Sequence, residues 1–361
     1  MIIDIEIRNF RCFETSKFSG FERVNLISGK NNAGKTALLE ALLLNNSPRP
    51  DNVILLKQIR KESLEFSKSL PERAWDNFFF NQNKEEKIEI RAKNEEKLVS
   101  LLEISVDESV KDFIDDSEND DDLGNFMTLL SSSKSLKSVL SLKAQVNNQD
   151  SFESSLMASS KGLLGKDVKI PDVRNVSFIP SFLRSSNRAL AEEYDKAYLN
   201  NKADEILKTF NIIDSSINDA KTISIGEPTI YLTRDGENRL PLSLFGDALN
   251  RIADIILSLV NNQSSILLVD EIENGIHYTN QRELWKILFR LADELDVQIF
   301  ATTHSLEMIQ AFVDVGINQY EGLGAHFELA RHAKTKQIIG IKRDLETLDY
   351  GIKHQKGVRG E

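Results

Sequence analysis

Apolar and polar positions alternate from the start of the chain. Ile3, Ile5 and Ile7 fall on one side and Asp4, Glu6 and Arg8 on the other, which predicts a half-buried strand. A turn with apolar anchors follows at Asn9-Phe10-Arg11-Cys12-Phe13. Val24-Asn25-Leu26-Ile27-Ser28 is short, apolar and partly β-branched, so it reads as a buried strand. Ala37 to Leu44 consists of strong helix formers, and Pro48 and Pro50 close that helical region. Residues 51–80 predict helices of mixed charge, with Trp75, Phe78, Phe79 and Phe80 packing into a core. Lys87 to Arg91 and Leu98 to Val106 alternate, which predicts a small antiparallel sheet. Residues 127–165, rich in Ser and Lys with spaced Leu, read as helices of a peripheral subdomain. Arg174 to Pro180 is strand-like and Ala189 to Phe210 helical. Thr222 to Ile225 and Thr229 to Thr233 read as strands, with a turn at residues 234–237.

The last third is the most sharply patterned. Leu249 to Val260 forms an apolar helix, with Ser243 as its expected N-cap. Ile266-Leu267-Leu268-Val269 runs straight into Asp270-Glu271. Four apolar residues followed by two acids predict a buried parallel strand with carboxylates at its C-terminal end. In an open α/β sheet, ligands bind at that end. Val297 to Thr302 predicts a second core strand, ending at Thr303-His304-Ser305. Helices are expected through Trp285 and Leu288 and from Met308 to Val313, and a closing hairpin from Ala325 to Ile341.

Composition narrows the functional classes. The 361 residues carry a net charge of −11, which argues against a broad nucleic-acid surface. Local basic candidates for DNA remain at Lys57, Arg60 and Lys61, and at Lys134, Lys137 and Lys143. The single cysteine, Cys12, excludes an intramolecular disulfide and fits a reducing, cytoplasmic setting. No apolar run approaches the roughly 20 residues of a membrane span, so no membrane partner is expected. Asp115, Asp116, Glu118, Asp120, Asp121 and Asp122 are followed by a glycine at 124 that is out of register with a calcium loop. They read as a solvated linker.

The chemistry is concentrated in Gly29-Lys30-Asn31-Asn32-Ala33-Gly34-Lys35-Thr36, which fits the phosphate-loop pattern G-x-x-x-x-G-K-[ST]. It lies between a predicted strand and a predicted helix, the context the motif requires. Backbone N–H groups from Gly29, Asn31, Asn32, Ala33, Gly34, Lys35, Thr36 and Ala37 would cradle phosphates at the helix N-terminus. Lys35 is expected to reach the β- and γ-phosphates and Thr36 to offer its hydroxyl to Mg²⁺. Asp270 is the second expected metal holder. Glu271 is the candidate for polarising the attacking water, and His304 for donating to the γ-phosphate. The expected cofactors are ATP and Mg²⁺.

Five segments resemble one known group. They are Ile7-Arg8-Asn9-Phe10-Arg11, Gly29 to Thr36, Leu242 to Asp247, Ile266 to His277, and Thr302-Thr303-His304-Ser305. Together they resemble the ABC-type ATPase heads of the SMC and RecF superfamily. The nearest likeness is to small standalone bacterial ATPases related to overcoming-lysogenization-defect proteins. The resemblance implies an α/β P-loop NTPase fold, a single ABC-type head over residues 1–361. Its mixed-sheet core would come from 1–44 and 220–361, and a β and helical insertion from about 45–220. It implies a head-to-tail homodimer or higher oligomer closed around ATP, one phosphate loop facing the other copy's Ser243 and Gly246. Arg11 would approach the phosphates, and residues 273–277 would cross the interface.

There are departures from that pattern. The signature reads Leu-Ser-Leu-Phe-Gly-Asp-Ala in place of Leu-Ser-Gly-Gly-Gln. No lever-loop glutamine can be placed, since Gln58 and Gln82 stand out of context. No heptad run supplies coiled-coil arms. The stretch after His304 is too short for an in-chain nuclease. Three roles are open on this basis. One is an ATP-driven switch acting on a separately encoded effector, a nuclease or toxin, in anti-phage defence. The second is a RecF-like DNA-binding head, and the third a slow-turnover nucleotide sensor.

Overall fold

The computed structural model describes residues 1–107, 137–147, 149–166, 175–263 and 265–354. The acid-rich run at 115–122 and Lys134 lie outside the described residues.

The chain opens with strands β1 (Ile2–Phe10) and β2 (Phe13–Ser19), an antiparallel hairpin. Asn9 and Arg11 both take left-handed φ of 53° to make its tight turn. A register shift between Ile2 and Asp4 turns Ile2 inward, so Ile2, Ile5 and Ile7 are buried and Ile3 is only half-buried. Strand β3 (Val24–Gly29) then leads through the phosphate loop into α1 (Lys35–Asn46). Helices α2 (Pro50–Ile59) and α3 (Leu64–Ser69) follow, Pro50 opening α2 where its missing N–H costs nothing. Short 3₁₀ turns through residues 71–82 bury Trp75, Phe78 and Phe79, while Phe80 is half-buried.

Strands β4 (Ile88–Asn94) and β5 (Val99–Asp107) pair antiparallel as the alternation predicts. The next stretch departs from expectation. Residues 138–166 form β6 (Ser138–Val146), β7 (Gln149–Ser159) and β8 (Gly162–Lys166) instead of helices. Leu140 and Leu142 are buried and Lys143 is exposed, a period-two pattern that pairing against β5 brings out. All these strands join one seven-stranded sheet in the order β2-β1-β4-β5-β6-β7-β8.

Strand β9 (Val176–Ile179) precedes helices α4 (Asn187–Leu199) and α5 (Ala203–Ile213), which divide the single helical run expected over 189–210. A three-stranded sheet follows from β10 (Ile217–Ile223), β11 (Thr229–Arg234) and β12 (Leu240–Pro241). Then come α6 (Asp247–Asn261), β13 (Ile266–Val269), α7 (Tyr278–Glu294), β14 (Gln298–Thr302), α8 (Leu306–Gln319), β15 (Gly324–Arg331), β16 (Ile338–Arg343) and α9 (Leu345–Lys353).

The site rests on a six-stranded mixed sheet, β16-β15-β3-β14-β13-β9, antiparallel only at the β16 edge. Both faces of β13 are covered. Ile266 and Leu268 point into the core shared with α1, and Leu267 and Val269 into the core formed by the later helices. The stretch expected as an insertion, about 45–220, adds strands to both large sheets. Strands β4–β8 extend the N-terminal sheet, and β9 is the edge strand of the parallel one. The four-residue parallel register of β9 with β13, Val176 to Ile179 against Ile266 to Val269, makes the second of these joins.

One core residue makes stability depend on pH. His326 on β15 is fully buried, with Nε2 2.9 Å from Ser28 Oγ and Nδ1 unpartnered. Burial, reinforced by Arg343, pulls its pKa from 6.5 down to about 3. The unfolded chain therefore takes up a proton below about 6.5 that the folded chain refuses, so stability drops as pH falls through that window. Urea unfolding at pH 7.5 and pH 5 should show His326→Gln losing about 2 kcal/mol less than wild type over that step, from ~1.4 kcal/mol per pH unit. Equal losses would remove His326 from the account.

Candidate nucleotide site

The phosphate loop takes its shape from residues that tolerate it. Gly29 has φ of 149°, and a Cβ there would lie 2.5 Å from the Leu329 carbonyl oxygen of β15. Gly34 has φ of 93°, and a Cβ would meet Cys12 Sγ at 3.0 Å. Asn32, with φ of 61°, is of a type that accepts the left-handed region. The loop thus passes close over β15 and the hairpin before entering α1 at Lys35.

Three strand ends converge on this loop: β3, β13 and β14, neighbours in the parallel sheet. Asn31 to Ala37 line an open cavity of about 810 Å³ together with Asp270, Glu271 and His304, a size suited to a small-molecule ligand. Gly29 borders a neighbouring cavity of about 500 Å³ that reaches Thr303 and His304. The sequence-predicted loop, acids and histidine are therefore brought together.

The geometry within the site is tight. Thr36 Oγ1 donates to both Asp270 carboxylate oxygens, at 3.1 and 3.0 Å. Thr302 Oγ1 donates to Asp270 Oδ1 at 2.7 Å and accepts the Glu271 N–H at 2.8 Å. Burial pushes the Asp270 carboxyl above the usual carboxylate range, opposed by the hydroxyls of Thr302 and Thr36. Lys35 Nζ folds back onto the carbonyls of Gly29 and Lys30, at 2.9 and 3.1 Å, and lies 3.3 Å from His304 Nδ1. Burial draws its pKa down to about 8, against the upward pull of Asp270, Glu273 and Glu271.

Glu271 stands in the left-handed region, with φ of 51°, an unfavourable setting for a side chain of its size. Its Oε2 accepts from Asn274 Nδ2 at 2.9 Å, and its Oε1 lies 3.9 Å from His304 Nε2. The Glu273 carboxylate accepts the His304 main-chain N–H at 2.7 Å, so residues 271–274 and 304 are laced together.

Arg11 lines the cavity but is also held. Its Nε donates to Glu40 at 2.7 Å and its guanidinium stacks 4.2 Å from the Phe78 ring centre, leaving Nη2 buried and unpartnered. Glu40, fully buried on α1, also accepts from Arg60 Nε at 2.6 Å. Sequence reasoning missed Arg60, Glu62, Asn77 and Arg331 as cavity residues, because none lies in a recognisable motif. Of the basic candidates for DNA, Lys57 is buried and bound to Glu62 and the Ala74 carbonyl, and Arg60 turns to Glu40. Lys143 pairs with Glu153 at 3.2 Å.

Ser243 and Gly246 do not line the cavity of their own chain. Ser243 is exposed in a 3₁₀ turn over Leu242–Phe245, and does not cap the helix as expected. Gly246 occupies the N-cap of α6 with φ of 88° and no side-chain cap. Neither Gln58 nor Gln82 lines the cavity. Among the described residues no group of three or more His, Cys, Asp or Glu forms a metal cluster, and no helix is long and apolar enough to cross a membrane.

A phosphate loop between strand and helix, facing an Asp-Glu pair across a parallel sheet, defines a P-loop ATPase. More narrowly, residues 24–309 match the family described as "AAA domain, putative AbiEii toxin, Type IV TA system", and the chain belongs to it. It is 28% identical over 343 residues to an "ATP/GTP phosphatase" of Helicobacter pylori, covering 86% of this chain and 87% of that protein. It is 27% identical over 158 residues to "Methionine import ATP-binding protein MetN 1" of Listeria monocytogenes, covering 39% of this chain and 46% of that protein. Among solved structures, the Smc head domain bound to the C-terminal domain of ScpA derived from Pyrococcus furiosus aligns over 98% of this chain and 99% of that one. Identity there is 10% and the TM-score 0.49. The SMC head domain from Thermotoga maritima gives a TM-score of 0.39 at 11% identity, covering 95% of this chain and 99% of that one.

Proposed function

We propose that the protein is an ATP-hydrolysing switch whose two copies close head to tail around nucleotide. The observation that carries this reading is the split of the predicted motifs. The phosphate loop, Asp270, Glu271 and His304 share one cavity, while Ser243 and Gly246 are exposed outside it. A serine and a helix N-terminus in the open are suited to a phosphate carried by a second copy.

In this reading the loop N–H groups and Lys35 bind the β- and γ-phosphates. Thr36 and Asp270 offer hard oxygen ligands, the donor set that Mg²⁺ prefers, side by side at the mouth of the phosphate loop. The metal, when bound, neutralises charge on the transferring phosphoryl group. Glu271 takes the proton of the attacking water, and His304 donates toward the γ-phosphate. Arg11 adds its unpartnered Nη2 to the phosphate field. The name of the Helicobacter relative, an ATP/GTP phosphatase, supports hydrolysis. The family's toxin–antitoxin description supports a separately encoded effector, a nuclease or toxin, as the element the switch acts on.

Light scattering tests the assembly. Glu271→Gln with ATP and Mg²⁺ should run as a dimer or a multiple of it, and as a smaller species without nucleotide. Adding the exposed substitution Ser243→Arg should abolish that shift while leaving ATP binding intact. An ATP-dependent dimer that ignores Ser243→Arg would remove the signature from the interface.

A further inference from the structure

Arg251 sits on α6, about one and a half turns beyond the Gly246 N-cap, and is fully buried. A buried guanidinium is costly unless its donors are satisfied. Two are. Nη1 donates to the Pro180 carbonyl, just past the end of β9, and Nη2 to the Asp270 carbonyl, just past the end of β13, both at 2.5 Å. Among the described residues no carboxylate accepts from it, and Nε has no partner. This arginine therefore spends its charge on two main-chain oxygens at adjacent strand ends.

The Asp270 carbonyl belongs to the peptide that joins Asp270 to Glu271. The N–H of that same peptide is the one that donates to Thr302 Oγ1 at 2.8 Å. Its plane is thus gripped from both sides, by Arg251 on the oxygen and by Thr302 on the nitrogen. The Asp270 N–H is held as well, by the Ile179 carbonyl at 2.9 Å. Orientation of this peptide sets the left-handed φ of 51° at Glu271, and with it the direction of the Glu271 side chain. Left to itself, a glutamate leaves that region, where its Cβ crowds the following carbonyl oxygen.

We infer that Arg251 is a positioning residue for hydrolysis: by holding the peptide between Asp270 and Glu271, it aims the Glu271 carboxylate at the γ-phosphate side of the cavity. Its place on α6 adds a consequence. The helix that begins at Gly246 ends its mechanical reach on the peptide before Glu271, so displacement of α6 by a second copy is felt at the base. This inference rests on the reading of Glu271 as the base.

The test uses steady-state turnover and nucleotide affinity on the full chain. Arg251→Gln should lower kcat about 100-fold, the scale of a misplaced catalytic group, with nucleotide affinity within about 3-fold of wild type. Arg251→Lys keeps the charge without the two-pronged reach and should recover part of the loss. It carries the test if Arg251→Gln does not accumulate as folded protein. The decisive sample is the double variant Arg251→Gln with Glu271→Gln. Acting through Glu271, Arg251→Gln adds no further loss to that of Glu271→Gln alone. Multiplying losses would show that Arg251 works elsewhere, and unchanged kcat in Arg251→Gln would show that it positions nothing. Wild-type turnover in Glu271→Gln alone would instead overturn the assignment of the base.

Discussion

Glu271→Gln is expected to lower ATP turnover by roughly 100- to 10,000-fold while leaving nucleotide binding in place. The amide is close to the carboxylate in shape, keeps a partner for Asn274 and cannot take a proton from water. In the proposed reading Lys35, Thr36 and Asp270 hold the phosphate end without help from the Glu271 side chain, so affinity should move little. Phosphate release and equilibrium binding on the same samples separate the two effects. Turnover within a few-fold of wild type would take Glu271 out of the reaction. Since His304 Nε2 lies 3.9 Å from the Glu271 carboxylate, it would become the next candidate base.

The largest effect on stability is expected at Glu40, on α1 one turn past the phosphate loop and outside its motif. Its carboxylate is fully buried and clamped by Arg11 at 2.7 Å and Arg60 at 2.6 Å. Arg11 is itself nearly buried, its side chain 7% exposed. Glu62, at 3.5 Å, is its only other acidic partner among the described residues. Glu40→Leu leaves that guanidinium without its main counter-charge, and breaking a buried pair costs about 3–5 kcal/mol. The urea midpoint should fall accordingly. Nucleotide affinity should fall with it, because Arg11 and Arg60 both line the cavity. Replacing the pair together, Glu40→Leu with Arg11→Met, should return much of the stability but not the affinity. A single variant within 1 kcal/mol of wild type would show that water reaches this cluster and screens it.

Much of the site was legible because its chemistry is local. The phosphate loop announces itself by two glycines, a lysine and a threonine between a strand and a helix. Asp270 and Glu271 announce themselves by following four apolar residues. What lay hidden depends on distance in the chain. Glu40 looks like a surface residue of an apolar helix until Arg11 and Arg60 close on it. Arg251 looks like a break in the apolar face of α6 until β9 and β13 bring two carbonyls to it. Strands β6–β8 were masked by serines and lysines that suit an exposed helix as well as an exposed strand face. Their leucines do alternate, but only a partner strand makes that alternation decisive. The split of the 189–210 helix falls at Asn201, whose φ of 58° ends α4 by a turn that composition does not announce.

The position of β3 in its sheet has a consequence for biosynthesis. Its neighbours are β14 and β15, so the strand that launches the phosphate loop has no partner in the first half of the polypeptide. At ribosomal speeds of about 5–20 residues per second, β3 waits on the order of tens of seconds before residues 298–331 emerge. Throughout that interval a strand buried on both faces in the finished protein stands with its edges open. The other residues of the proposed nucleotide site, Asp270 and His304, are made late as well. The N-terminal hairpin and its β4–β8 partners can form first, and the emerging polypeptide should depend on holding chaperones until the final third arrives.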